Sequence, residues 1–296
     1  MTVLISAVLP IALAALVGFV VGRSFDLDLP TLARVNIYAL VPALVLMSLA
    51  NSTLAWGTAI AIVTAFFLNS GLLYLIAIAL GRGLNLVPDA RKSLIATTLF
   101  SNVGNMGLPF VLFSLGEAGL ERAVIYLVGS SLMIASLFPT ILKGGSMGEG
   151  FRLTLKLPIF WAAMAGLALQ ASGGVMPLAV DRAVNLLGGG AIPLALLTLG
   201  IQLSRTKLVF GAHELLGAGL RLVIAPLTAY GMGRLLGLEG LDLQVLVLQA
   251  AMPVAVNALI WVTELGGDPV RVARTIVLST LLSFLTLPGV LWLTSR

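Results

Sequence analysis

Polar positions in this chain do not alternate with apolar ones. They gather in short interruptions between long apolar blocks. A helix needs about 20 predominantly apolar residues to cross the ~30 Å hydrocarbon core of a bilayer. The pattern predicts ten such spans, at 3–22, 31–50, 56–80, 90–116, 119–142, 155–173, 179–203, 212–236, 241–265 and 270–294. Each is bounded by polar or glycine-rich turns, and no stretch reads as a soluble domain. The first span lacks a basic leader and a small-residue cleavage site, so it reads as a spanning helix. The longest polar connection, Lys143 to Lys156, contains Gly144, Gly145, Gly148 and Gly150. It divides the chain into a first five-helix half at 1–142, a short linker at 143–154 and a second half at 155–296.

The halves look related. Leu40-Val41-Pro42-Ala43-Leu44 in the second span is matched by Ala191-Ile192-Pro193-Leu194-Ala195 in the seventh, and Ser130/Pro139 in the fifth by Ser279/Pro288 in the tenth. Five spans per half force the second repeat to insert upside down, which predicts an inverted repeat. Charge gives an independent test. The loops after spans 1, 3, 5, 7 and 9 collect 13 of the 17 Lys and Arg, Arg221 included, against Arg122, Arg182, Arg234 and Arg296 on the other side. The positive-inside rule places the first set in the cytoplasm and both termini outside. Trp56 and Trp292 fall at outer helix ends, as an aromatic belt requires.

Two spans are interrupted. Ser101-Asn102-Val103-Gly104-Asn105-Met106-Gly107-Leu108-Pro109-Phe110 concentrates helix breakers in the fourth, and Gln249-Ala250-Ala251-Met252-Pro253-Val254-Ala255-Val256-Asn257 does so more weakly in the ninth. Broken backbone at membrane depth persists only where it is buried in protein or lines a wet cavity. Paired breaks in matching halves point to a transporter's midplane site. Half-helices starting near Pro109 and Pro253 would each present free N–H groups and about +0.5 charge, which suits a carboxylate. The predicted substrate-binding residues are Asn102, Asn105, Gly107, Pro109, Pro253 and Asn257. No Asp, Glu, His or Lys lies deep in either span, so no side chain there is expected to be an obligatory proton carrier.

Composition narrows the chemistry further. The chain is 59% hydrophobic and 10% charged, with no cysteine and one histidine. Disulfides, thiolate metal sites and most nucleophile–base constellations are thereby excluded, so neither an enzyme nor a cofactor is expected. The net charge of +5 comes without a basic patch interleaved with aromatics, which argues against nucleic acid. Isolated prolines (Pro10, Pro42, Pro226) read as kinks, and Asn36, Asn69 and Gln202 as helix-packing hydrogen bonders. His213, beside Glu214, reads as a surface residue; Glu117, Glu121, Glu264 and Asp268 read as solvated helix ends, and Gly188-Gly189-Gly190 as close packing.

The run at 102–109, the later Met-Pro-Val-Ala-Val-Asn at 252–257 and the terminal Ser279-Thr280-Leu281-Leu282-Ser283 with Leu287-Pro288 resemble the auxin efflux carrier family. That family includes plant PIN-formed carriers and bacterial malate or malonate permeases. The resemblance covers the whole chain. It implies an all-α fold of ten transmembrane helices, two inverted five-helix repeats with crossed broken helices 4 and 9, similar to sodium/proton antiporters and bile-acid symporters. Spans 1, 2, 6 and 7 would form a scaffold and a homodimer contact; spans 3–5 and 8–10 would form a moving transport domain. This chain lacks the long hydrophilic central loop of the plant carriers, so regulation there does not carry over. The expectation is an elevator-type secondary transporter for a small organic anion in a cell's inner membrane. A non-transporting sensor or a channel on the same fold is the alternative, and the absence of a polar stripe along the spans counts against the channel.

Overall fold

In the computed structural model, residues 2–137, 147–205 and 210–295 are described; Pro139, Lys143, Gly144, Gly145, Lys207 and Arg296 lie outside them. Nearly all of the described chain is helical. In order the helices are α1 (Thr2–Ser24), α2 (Leu29–Val35), α3 (Val41–Ala50), α4 (Trp56–Gly83), α5 (Pro88–Leu99), α6 (Leu108–Ser136), α7 (Met147–Thr154), α8 (Pro158–Ser172), α9 (Leu178–Arg205), α10 (Ala212–Gly219), α11 (Ala225–Leu235), α12 (Gly240–Ala250), α13 (Asn257–Leu265) and α14 (Pro269–Thr294). Among the described residues, six helical stretches are long and apolar enough to cross a membrane. Val8–Ser24, Pro158–Ser172 and Gly240–Ala250 are shorter apolar helices.

The helix boundaries have local causes. Asp28 caps α2 by accepting from the Thr31 amide, with Pro30 in the first turn. Asp268 caps α14, accepting from the amides of Val270 (3.0 Å) and Arg271 (3.1 Å), while the Arg271 guanidinium reaches its other oxygen at 2.9 Å. Desolvation pushes the Asp268 carboxyl upward, but these bonds and the Arg271 charge outweigh it and hold the group below its ordinary value. Gly173 ends α8 at φ 64°, a left-handed conformation that glycine adopts without strain. Gly116, at φ 69° and ψ −167°, breaks α6 into two helical pieces.

Three π-helical turns interrupt the helices: Asn36–Leu40, Val103–Gly107 and Leu220–Ile224. A proline stands two residues beyond each, at Pro42, Pro109 and Pro226. Proline offers no N–H and crowds the carbonyl four residues back. Widening the preceding turn to i→i+5 bonding, as in Val41 N to Asn36 O and Ala225 N to Leu220 O, removes that conflict without ending the helix.

The helices form two compact units. Of the described residues, the first comprises 2–55, 104–137 and 147–205, and the second 56–103 and 210–295. In the first unit α1 packs along α9, α3 lies against α8 and α9, and α6 touches α1 and α7. Gly18 and Gly200 let α1 and α9 approach closely, since a Cβ on either would collide with the facing backbone carbonyl, of Leu197 or Ala15. Gly188 likewise faces the Leu44 backbone, so part of the glycine run is a packing surface. In the second unit α4 packs on α5 and α11, α11 on α12, and α10 on α14 and α5.

The last pairing corrects one expectation. His213 and Glu214 lie in the first turn of α10 beneath α14 and α5, and both are buried rather than at the surface.

Gly200→Ala should destabilise the first unit by about 1–3 kcal/mol or more, because its new methyl meets backbone that cannot rotate away. Gly189→Ala, on the same helix with nothing within 4 Å, should be neutral or add about 0.5–1 kcal/mol. Thermal unfolding of the two variants in detergent, followed by size-exclusion chromatography, checks the ordering.

Candidate functional site

The second unit contains the point where the two interrupted spans meet. α5 ends at Leu99 and α12 at Ala250, and beyond each the chain turns extended. The extended stretches pair antiparallel at Ser101 and Val254. The Asn102 amide donates to the Pro253 carbonyl at 2.8 Å, and the Ala255 amide donates to the Phe100 carbonyl at 2.9 Å. Each break therefore satisfies backbone groups that the other leaves open, which is how irregular backbone survives away from water. Side chains complete the join. The Ser101 hydroxyl donates to the Gln249 carbonyl at 2.9 Å. The Val254 amide donates to the Ser279 hydroxyl at 3.1 Å, and that hydroxyl donates to Ile276 O.

The predicted site residues fall around this bridge unequally. Asn102 and Pro253 are buried in it as backbone partners. Asn257 is half-buried and opens α13. Asn105, Gly107 and Pro109 belong to the first unit, the chain passing between units at Val103–Gly104. Asn105 is half-buried there, on the π-turn, with Gly107 and Pro109 buried behind it. Among the described residues neither the Asn105 nor the Asn257 side chain makes a hydrogen bond to a protein group, and both are half-buried.

The half-helices start elsewhere than expected. Pro253 lies in the extended stretch and helix resumes only at Asn257; Pro109 lies inside a helix that the π-turn carries back to Val103. The reason is the same in both cases. The paired backbone claims residues 253–255, Pro253 among them, and on the other strand 100–102, which ends well before Pro109 and releases the chain to helix at Val103.

Nδ2 of the predicted Asn102 is buried without a partner. Two further residues at the join were not legible as site residues: Gln249, wholly buried with both side-chain amide atoms unpartnered, and Thr280, whose hydroxyl is unpartnered. They neighbour the residues that make the bridge, and unpaired buried polar atoms cost about 1–3 kcal/mol each unless something fills their valence. Their sequence signal was slight, a polar residue inside an apolar helix.

Arg221 is the larger surprise. Assigned by its charge to a cytoplasmic loop, it stands within the Ala212–Leu235 candidate span at 2% exposure. Its guanidinium donates to the carbonyls of Thr98 (2.6 Å), Met252 (3.2 Å) and Ala250. The basic-residue asymmetry loses this member and remains one-sided. Asn69, by contrast, donates to the Ala225 carbonyl at 3.4 Å across the α4–α11 contact, a packing role. Among the described residues no group of His, Cys, Asp and Glu could hold a metal ion.

This architecture has relatives. A family model described as membrane transport protein matches residues 3–151 and 150–291. An uncharacterized transporter of Methanothermobacter thermautotrophicus is 32% identical over 96% of both chains. An uncharacterized transporter of Methanocaldococcus jannaschii is 26% identical over 72% of each chain. A Rhizobium meliloti protein named "Putative malonate transporter" is 27% identical over 66% of this chain and 64% of its own. With both interrupted spans and almost the full length matched, the chain belongs to the membrane transport protein family, the auxin efflux carriers, as a polytopic helical membrane transporter and not an enzyme.

Proposed function

We propose that the protein is an elevator-type secondary transporter that moves a small organic anion, a mono- or dicarboxylate, across a cell's inner membrane. The observation that carries this reading is the bridge at Ser101 and Val254, which joins two interrupted helices and leaves amide-bearing side chains around the break without partners. The substrate would be held by Asn102, Asn105, Gly107, Pro109, Pro253 and Asn257, with Asn105 and Asn257 supplying neutral donors. The amide end of α13 adds about +0.5 charge toward a carboxylate. The name of the Rhizobium meliloti relative supports a dicarboxylate as the first candidate.

In the proposed architecture ten spans form two inverted five-helix repeats, and the carrier is a homodimer through a scaffold of spans 1, 2, 6 and 7. Spans 3–5 and 8–10 form the moving body. The second compact unit supplies α4, α5 and α10–α14 to that body; α6, which the proposal also places in it, groups with the first unit. Both termini face away from the cytoplasm.

Counterflow of labelled malonate or malate in proteoliposomes tests the function, and its absence for all short carboxylates would refute it. Asn105→Ala and Asn257→Ala should each lower counterflow by roughly tenfold or more while leaving folding intact, since each removes a ligand donor and no structural bond. Asn69→Ala should cost little transport. The reverse ranking would place the site elsewhere.

Topology is tested separately, using the absence of native cysteine. Lys156→Cys and Ala118→Cys, both exposed, should react with an impermeant maleimide from opposite faces of the membrane. Reaction from one face would defeat the ten-span arrangement.

A further inference from the structure

Two helices of the second unit, α5 and α12, stop inside the protein with their carbonyl ends toward the same bridge. The last C=O groups of a helix have no intrahelical partner, and each such end carries about −0.5 charge. Two together make a place for a cation. A metal ion held by backbone carbonyls would answer that need in a carrier that couples its substrate to a cation gradient.

The chain answers it with a side chain. Arg221 projects from the π-turn Leu220–Ile224, and one rigid fork of donors spans both ends: Nη1 to Thr98 O at 2.6 Å, Nη2 to Ala250 O, and Nε to Met252 O at 3.2 Å. Thr98 lies in the last turn of α5, Ala250 closes α12, and Met252 lies just past it. The cost of placing a charge in a membrane span is high, and such residues are rare unless they serve a site. A guanidinium cannot lose its charge, so this positive charge is permanent. It is also fixed in position by carbonyls of Thr98 and Ala250 at the two helix ends and of Met252 just past α12. The residues that make the join also carry unpartnered polar groups, the amide donors Asn102 Nδ2 and Gln249 Nε2 and the hydroxyl of Thr280, groups that can serve an anion.

We propose that Arg221 is the resident cation of the crossing. It is a positioning residue that clamps the carbonyl ends of α5 and α12 and supplies the positive charge that a co-bound metal ion would otherwise bring. The anion is then bound without a metal ion. The consequence for transport rests on the anion-carrier reading above; the clamp does not.

The test has two arms. In the first, purified protein is melted in detergent at constant ionic strength in sodium, potassium or choline chloride. Wild type should melt at one temperature in all three. Arg221→Met should melt lower, and guanidinium chloride at non-denaturing concentration should raise the melting point of this variant but not of wild type. A sodium-specific rise in wild type, or an Arg221→Met protein as stable as wild type, would overturn the proposal. In the second arm, Arg221→Gln, which removes the charge but keeps an amide donor, is compared with wild type in proteoliposomes. Its KM should rise by roughly tenfold or more, and more for a dicarboxylate than for a monocarboxylate, a charge dependence that loss of packing alone would not produce. An equal change for both substrates, or a sodium requirement in wild type, would also overturn it. If wild type carries no carboxylate at all, the anion-carrier reading fails while the first arm still decides the role of Arg221.

Discussion

The constraint from which the rest of this structure follows is the hydrogen-bond demand of two helices that stop inside an apolar protein. Water cannot meet that demand in hydrocarbon, and each unmet backbone group costs several kcal/mol. The chain meets it by laying the two breaks against each other. Phe100 to Asn102 and Pro253 to Ala255 exchange backbone bonds as a minimal antiparallel pair, with Ser101 and Ser279 taking up neighbouring backbone groups. Cutting either break out of register would orphan groups on both. The two spans are thus coupled through backbone rather than through side-chain identity, which sets the positions of Asn102 and Pro253 directly and of Asn257 by the resumption of helix after the pair.

The same accounting explains why prolines are tolerated so freely. Pro42, Pro109 and Pro226 each follow a π-turn, so each cancels a hydrogen bond that the wider turn has already given up. At Asn36–Leu40 the device carries no charged side chain. At Leu220–Ile224 it presents Arg221. A π-turn inserts one residue into the helical period, which shifts the facing of every later side chain relative to the earlier turns. Arg221 sits within that bulge and meets the breaks from a helix that then packs on α4 and α12.

Much of this was legible in the sequence where the signal was local. The coincidence of Asn102, Gly104, Asn105, Gly107 and Pro109 marks a break by composition alone, and Pro253 with Asn257 marks its weaker counterpart. Helix starts were less legible, because backbone pairing between residues some 150 positions apart decides which side of a proline the helix resumes on. Burial of His213 and Glu214 depends on α10 lying under α14 and α5, a tertiary fact that a loop-adjacent position conceals. Arg221 was misassigned for a related reason. A lone Arg counts with the loop charges by default, although position 221 lies well inside the predicted 212–236 span, and its carbonyl partners from α5, α12 and the stretch after α12 show what holds it there.

Those partners also give the join a polarity that helix dipoles alone would lack. Two interrupted helices offer two carbonyl ends and two amide ends, so their bare electrostatics favour neither sign of ligand. In the second unit the carbonyl ends of α5 and α12 are already taken by a full positive charge, while the amide end of α13 begins at a half-buried Asn257 with no side-chain cap. The negative poles are closed and a positive pole is open. Selectivity for an anion then needs no charged side chain in contact with the ligand. On the proposed anion-carrier reading, the neutral amides orient the carboxylate, and the charge that attracts it stays locked in backbone bonds away from a tight ion pair. A carrier must release what it binds, and an attractive charge held at one remove suits that requirement better than a direct salt bridge.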